Sequence, residues 1–208
     1  MLNELLTFDS GSVIFWSITY ICVIVRGFKG EKLLLPSLSI YLNLGWEICS
    51  IFVNNNWKNW LWLLLDCVIF IIMIIQKRNG FAEEKKSSKT IIAIVVLTLT
   101  VANFTLVFST ENGMLFSSFA IDIIMAVGFL AMMLISPQNG RSIPIAVTKL
   151  IGDFCAWQYY RSYAPLINTI GITVLILNCV YLLLSFKPIH KGLLMRIRNH
   201  DSERDNYQ

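Results

Sequence analysis

The residues best suited to chemistry in this sequence lie in Asn43-Leu44-Gly45-Trp46-Glu47, deep inside a long apolar run. A carboxylate in a membrane interior has no water to solvate it, so an acid that is retained there indicates a functional site. Asn43 and Glu47 are four residues apart, and on a helix the amide lies one turn from the carboxyl group and can orient it. The segment therefore predicts a buried acid with a hydrogen-bonding partner.

Other polar side chains also fall inside apolar runs. Asp66 and Asp122 have no cation near them in the sequence, and burial favours the neutral form of such a carboxyl group, which can donate a proton. An interhelical hydrogen bond that fixes packing explains either aspartate equally well. Lys149 and Asp153 are spaced i, i+4, which favours an ion pair within one helix over a catalytic role. For Asn103, packing is the better interpretation.

Depth along the helices predicts that the acids share one cavity. Counted at about 1.5 Å per residue, Asp153 lies near the level of Glu47 in the outer half, and Asp66 and Asp122 lie near mid-depth. A cavity that opens toward the outer face can therefore hold several of them. Trp46 lies below the expected interfacial aromatic belt, and a ring face in a dry pocket stabilises a cation by ~2 kcal/mol or more. An acid beside aromatic rings suits a carbocation reaction.

The elements that must position these residues follow from composition. The chain has 208 residues, of which 56% are hydrophobic and 14% are charged, and its mean hydropathy is +0.64. This is far outside the range of soluble domains and predicts an all-α, polytopic membrane protein. Because about 20 helical residues cross the hydrocarbon layer, we predict seven transmembrane helices, at residues 10–25, 33–53, 57–75, 90–109, 113–135, 143–160 and 164–186.

The predicted helices suggest two similar halves. Pro36 and Pro144 open the second and sixth segments, and each segment carries a glycine followed within two residues by an acid, Glu47 or Asp153. A 3+1+3 pseudo-repeat is therefore possible, although prolines commonly open helices. We expect one transmembrane domain over residues 1–187. The tail over 188–208 is basic and then polar, and its first part should contact the membrane surface.

Basic residues are distributed unequally between the two predicted faces. Of the 17 Lys and Arg residues, only Lys58 and Arg161 lie on the predicted outer face, and Lys149 lies within a helix. The positive-inside rule then predicts an outer N-terminus and a cytoplasmic C-terminus, in a bacterial cytoplasmic membrane or the endoplasmic reticulum. The basic charge needs no nucleic acid partner, and the sequence does not indicate an oligomeric state.

The sequence lacks the motifs of several enzyme classes. The metal-binding patterns D-D-x-x-D and D-x-D-D do not occur, and the two histidines, His190 and His200, both lie in the tail. P-loop, G-x-S-x-G and H-E-x-x-H patterns are also absent. We therefore expect no metal site and no cofactor, and a proton-initiated reaction on a lipid-soluble substrate.

Three motifs of buried polar and aromatic residues stand out, and they are Asn43-x-x-Trp46-Glu47, Trp62-x-x-x-Asp66 and Lys149-x-x-Gly152. In these motifs the sequence resembles the small seven-helix terpene cyclases of fungal meroterpenoid and indole-diterpene pathways and their bacterial relatives. The resemblance covers nearly the whole chain in size and helix count. It implies that Glu47 is a general acid, which protonates an epoxide or alkene and starts a cation cascade that closes rings.

The resemblance also implies a second acid on the last helix, where this sequence has Asn178, followed by Tyr181. We expect Asp66 or Asp153 to supply the missing carboxyl group, so Glu47, Asp66 and Asp153 are the predicted catalytic residues. The expected substrate is a linear or epoxidised isoprenoid, reached from the membrane lipid. The predicted substrate-binding residues are Asn43, Trp46, Trp62, Asp122, Trp157, Asn178 and Tyr181.

A small sugar or metabolite transporter is the alternative. Ser136-Pro137-Gln138 before Pro144 resembles the proline-glutamine loop of seven-helix sugar exporters, which are built from three plus one plus three helices. Against this interpretation, the first half lacks that dipeptide, and Asn-x-x-Trp-Glu has no counterpart in the second half. A non-catalytic scaffold would leave the buried acids as an unexplained cost. The cyclase is the favoured interpretation.

Overall fold

A computed structural model describes residues 2–29, 37–76, 86–135 and 140–186 of the chain. Within these ranges the protein is all-helical and contains no strand, which confirms the predicted all-α class. The predicted tail at 188–208 and the proline-glutamine loop lie outside the described residues. The helices are α1 Leu2–Phe28, α2 Ser37–Val53, α3 Trp57–Ile75, α4 Lys86–Phe108, α5 Gly113–Ile135, α6 Ile143–Tyr160 and α7 Pro165–Phe186.

Most helix bounds agree closely with the apolar segments of the sequence. The bounds of α3, α5 and α6 are the predicted ones. The main difference is that α1 begins at Leu2 rather than at residue 10. The prediction counted only the apolar stretch, whereas the leucine-rich residues before it are good helix formers and extend the helix beyond that stretch.

Four helices are long and apolar enough to cross a membrane, namely Phe8–Phe28, Trp57–Ile75, Gly113–Leu134 and Pro165–Phe186. The apolar stretches described in α2 and α4 are shorter, Leu38–Val53 and Val96–Phe108. In α6, Lys149 and Asp153 lie in the middle of the helix and lower its hydropathy. Length and composition therefore support four crossings, and crossing by all seven helices stays a prediction.

Three short loops and the start of α1 lie at one end of the bundle, which we call the N-terminal face. The Asn56 side chain caps α3 by accepting hydrogen bonds from the backbone N–H groups of Lys58 and Asn59, as expected for a helix N-cap. Lys58 also forms an ion pair with Asp9 of α1. The α2–α3 hairpin is thereby fixed to the first helix.

The opposite end of the bundle, the C-terminal face, joins the end of α1 to two other helices. Arg26 donates from Nη1 to the carbonyl oxygen of Arg141, just before α6, at 2.8 Å. The Gln76 side chain, at the end of α3, donates to the carbonyl oxygen of Gly27 at 3.1 Å. Polar contacts therefore fix both ends of α1 to neighbouring helices.

The helices pack in two triplets. In the first, α3 lies between α1 and α2, and in the second, α7 lies between α5 and α6. The triplets meet mainly where α1 packs along α6, while α2 contacts α4 and α5. The order is therefore first–third–second in both triplets.

Close approach of α1 and α6 depends on a glycine. A Cβ atom at Gly152 would lie 2.9 Å from Trp16 Cδ1 and 3.3 Å from the Trp16 backbone nitrogen. Small residues at helix interfaces allow backbones to approach in this way. Nearby, the hydroxyl groups of Thr19 and Thr148 form a hydrogen bond of 2.8 Å between the two helices.

The packing interpretation of Asn103 is wrong. Asn103 is exposed on α4, and its amide donates to the Leu99 carbonyl oxygen at 2.7 Å. An amide bonded within its own helix needs no neighbouring helix, because the backbone carbonyl satisfies its donor.

We predict that Gly152→Val destabilises the protein by about 1–3 kcal/mol, because overpacking forces α1 away from α6. Ala120→Val is the control, since Ala120 is exposed on α5. The measurement is thermal unfolding of the detergent-solubilised proteins by circular dichroism. Equal melting temperatures for the two variants would show that the α1–α6 contact does not need the glycine.

Candidate active site

A cavity of about 410 Å³ lies among α1, α2, α3, α5 and α6. Its volume falls within the range of about 300–1,000 Å³ that is usual for small-molecule sites. Asn54, Asn112 and Tyr163, one from each short loop, line its upper part. The cavity is therefore placed toward the N-terminal face.

Glu47 lines this cavity and is 4% exposed. Its Oε2 atom accepts a hydrogen bond of 3.3 Å from the Ser50 hydroxyl group, one turn along α2. That hydroxyl also lies 2.9 Å from the Glu47 carbonyl oxygen. Within the described part of the chain, no lysine, arginine or histidine forms an ion pair with Glu47. The carboxyl group therefore reaches the cavity with one weak donor and no compensating cation.

Asn43 does not orient Glu47, contrary to the expectation from their spacing. Its amide nitrogen donates to Asp66 Oδ2 at 2.7 Å and to the hydroxyl oxygen of Tyr20. Asp66 and Tyr20 come from α3 and α1, and these tertiary partners replace the local contact. We call Tyr20, Asn43 and Asp66 the amide cluster.

Asp66 lies behind the cavity wall. It is 2% exposed and lines a separate void of about 10 Å³. Tyr20 and Asn43 line both spaces and therefore stand between Asp66 and the main cavity. Asp66 therefore contacts the cavity only through its hydrogen-bonding partners.

Lys149 lies at the centre of a second polar group, which we call the lysine cluster: Trp16, Asp122, Lys149, Asp153 and Asn178. Its ammonium group is wholly buried, 2.5 Å from Asp153 Oδ2 and 3.5 Å from Asp122 Oδ1. It also lies 4.5 Å from the centroid of the Trp16 ring. The predicted ion pair within α6 is present, and it extends to α5.

The two aspartates of the lysine cluster have different surroundings. Asp153 Oδ2 also accepts a hydrogen bond from the Asn178 amide, and neither residue lines the main cavity. Asp122 does line it, with 15% of its side chain exposed. No cation lies near Asp122 in the sequence, but the fold places Lys149 of α6 beside its carboxyl group.

Aromatic residues form much of the remaining cavity wall. Trp46 donates from Nε1 to the Ser117 hydroxyl group at 2.9 Å, and its ring packs edge-on against Phe108 with centroids 5.6 Å apart. Trp62 also lines the cavity, and its buried Nε1 atom has no hydrogen-bond partner within the described ranges. Trp46 and Trp62, both predicted as substrate-binding residues, therefore line the same cavity as Glu47.

Three predicted substrate-binding residues lie away from this cavity. Trp157 donates to Asn168 Oδ1 at 2.9 Å across the α6–α7 hairpin. Tyr181 donates to the Gly140 carbonyl oxygen at 3.1 Å near the C-terminal face, and Asn178 is bonded to Asp153. These side chains connect helices, because the faces of α6 and α7 that carry them meet other helices instead of the cavity.

Other residues line the cavity that sequence reasoning did not select. Tyr20 and Trp16 lie one turn apart on α1, and this i, i+4 aromatic pair was the only signal available. For the other lining residues, no sequence pattern indicated a place in the cavity. They are Ser12, Met114, Leu115, Ser118, Phe119, Ile121, Met125, Ala156 and Tyr160.

The chain matches the family model of the Pyr4-like transmembrane terpene cyclases over residues 4–184. It therefore belongs to this family and is a membrane-integral protein, in agreement with the four helices that can span a membrane. No curated protein and no solved structure gave a significant match. The transporter alternative receives no support from these comparisons.

We predict that Lys149→Met destabilises the protein by about 3–5 kcal/mol, because it leaves a buried carboxylate without its cation. Adding Asp153→Asn should restore part of the loss by removing that charge. Lys58→Met is the matched control, because its partly exposed ion pair with Asp9 contributes at most about 1 kcal/mol.

The measurement is thermal unfolding of the four proteins in the same detergent. Wild-type stability of Lys149→Met would mean that the lysine cluster does not hold the helices together. No recovery in the double variant would mean that the loss comes from packing and not from charge.

Proposed function

We propose that this member of the transmembrane terpene cyclase family catalyses a metal-independent cyclisation of a linear or epoxidised isoprenoid, started by proton transfer from Glu47. The observation that carries the proposal is the position of Glu47. Its carboxyl group is buried in the wall of the main cavity and has no cationic partner within the described ranges. A carboxyl group in such surroundings is favoured in its protonated form and can act as a general acid.

The first step transfers the Glu47 proton to the substrate. The O–H bond of Glu47 breaks, and the proton bonds to a carbon of an alkene or to the oxygen of an epoxide. For an alkene, the π electrons form the new C–H bond, and a carbocation remains. For an epoxide, the C–O bond then breaks and leaves its carbon cationic. Neighbouring double bonds of the chain attack the cation and close rings.

The aromatic wall suits the positive charge that this step creates. Trp16, Trp46 and Trp62 line the same cavity as Glu47. A ring face near a cation contributes about 0.5–2 kcal/mol, and more as water is excluded from the site. Since Trp46 is hydrogen-bonded to Ser117, its ring is held in place before the charge develops, which lowers the cost of reorganisation.

We assign positioning roles to Asp66 and Asp153, which the sequence suggested as catalytic. Asp66 holds Asn43 at 2.7 Å, and Asn43 is a polar group of the cavity wall. Asp153 holds Lys149 at 2.5 Å. Both carboxyl groups are separated from the cavity, so direct proton transfer from either one to a substrate there would need a rearrangement.

The proposal keeps the predicted topology, with seven crossings, an outer N-terminus and a cytoplasmic C-terminus. The cavity then faces the outer side. The shared order of helices in the two triplets supports the 3+1+3 pseudo-repeat. An enzyme does not need two equivalent halves, so the different polar clusters of the two triplets are compatible with it.

We predict that Glu47→Gln lowers turnover by about 10²- to 10⁴-fold, the usual contribution of general acid catalysis. Glutamine keeps the volume of the side chain but lacks the carboxylic proton. The assay incubates detergent-solubilised protein with a panel of linear and epoxidised isoprenoids in the presence of EDTA. Cyclisation is followed by chromatography with mass spectrometry, as products of unchanged mass and different structure.

Glu111→Gln is the matched control, because Glu111 lies exposed in the α4–α5 loop and should leave turnover unchanged. Turnover by folded Glu47→Gln at the wild-type rate would exclude Glu47 as the acid. Loss of wild-type activity in EDTA, with recovery on adding a divalent cation, would exclude a metal-independent reaction.

A further inference from the structure

We propose that Asp122 is the base that ends the cyclisation by taking a proton from the final carbocation. This inference rests on the proposed function, because it concerns the last step of the same reaction. It assigns the second reacting carboxyl group to α5, although the sequence resemblance places that acid on the last helix.

Among the described residues, two carboxyl groups line the main cavity, and they differ in their contact with a cation. Glu47 receives one hydrogen bond, from Ser50 at 3.3 Å, and forms no ion pair with a described residue. Asp122 lies 3.5 Å from the ammonium group of Lys149. An opposite charge within about 4–6 Å favours the ionised form of a carboxyl group. Where two such groups share a site, the one without a cation suits the role of acid and the one beside a cation suits the role of base.

The contacts of Lys149 leave Asp122 with capacity to accept a proton. Asp153 has the shorter contact with Lys149, at 2.5 Å, and also receives the Asn178 amide. Asp153 is therefore the closer partner of Lys149, and Asp122 is the second, more distant one. Asp122 Oδ1, Asp153 Oδ1 and Asn178 Oδ1 are all buried and make no hydrogen bond with a described residue. Of these three residues, Asp122 is the one that lines the main cavity.

The position of Asp122 along α5 places it deeper in the cavity than the acid. Trp46, next to Glu47, is bonded to Ser117. Asp122 follows Ser117 by about one and a half turns, which is about 7 Å further from the N-terminal face. Asp122 is therefore separated along the cavity from the site of first protonation. Ring closure moves the positive charge away from the atom that was first protonated. A base that lies away from Glu47 can then remove a proton beside the final cationic carbon.

The step balances without any further reagent. A C–H bond next to the cationic carbon breaks, its electron pair forms the C=C bond of the product, and the proton bonds to the Asp122 carboxylate. Glu47, left as a carboxylate by the first step, takes a proton from water in the open cavity, and Asp122 returns one to water. The protein ends each cycle in its starting state.

The test compares the products of wild-type protein, Asp122→Asn and Asp122→Glu with the same isoprenoid. An asparagine cannot accept the proton, so we expect formation of the cyclic alkene to fall by about 10²-fold or more. The cation should then be captured by water, giving an alcohol heavier by one water molecule. Asp122→Glu keeps the carboxylate and should keep the alkene as the main product.

Asp9→Asn is the matched control, because Asp9 pairs with Lys58 outside the cavity. A merely structural role of Asp122 would lower all products together and leave the ratio of alkene to alcohol unchanged. An unchanged ratio in folded Asp122→Asn therefore overturns the inference. A wild-type protein that converts no isoprenoid overturns both the proposed function and the role of Asp122 that depends on it.

Discussion

The buried ammonium group of Lys149 is the interaction on which the arrangement of this protein depends. A charge removed from water is stable only when nearby groups compensate it, and the effective cost of an uncompensated ion is several kcal/mol. Here the compensation comes from Asp153 of the same helix, from Asp122 of α5 and from the Trp16 ring of α1. Since Asn178 of α7 holds Asp153, four helices must keep their positions around one cation.

The amide cluster has the complementary role on the other side of the cavity. Tyr20, Asn43 and Asp66 join α1, α2 and α3 by hydrogen bonds without a cation. Trp16 and Tyr20 lie one turn apart on α1, so this helix takes part in both polar clusters. The cavity lies between a cluster with a cation and one without. This difference gives Glu47 and Asp122 their opposite surroundings, although both residues face the same space.

Helix positions could be predicted well from this sequence, but the partners of buried polar groups could not. Apolar length and short polar loops set the bounds of α3, α5 and α6 without knowledge of packing. The i, i+4 spacing correctly indicated the pair of Lys149 and Asp153, because both lie on one helix. The same rule failed for Asn43, since Asp66 lies 23 residues away and only tertiary packing brings it near. The sequence also could not show which face of α6 lines the cavity. Trp157 lies on a face that contacts α7 instead.

The asparagine at position 178 fits this distribution of charge better than an acid would. Asp153 already receives Lys149, and Asp122 lies on the other side of the same ammonium group. A third carboxylate at this position would place three negative charges around one cation, and like charges in a buried site disfavour ionisation. An amide instead donates a hydrogen bond to Asp153 and adds no charge. Asn178 therefore leaves two carboxylates around Lys149, and Asp122 is the one of them that lines the cavity.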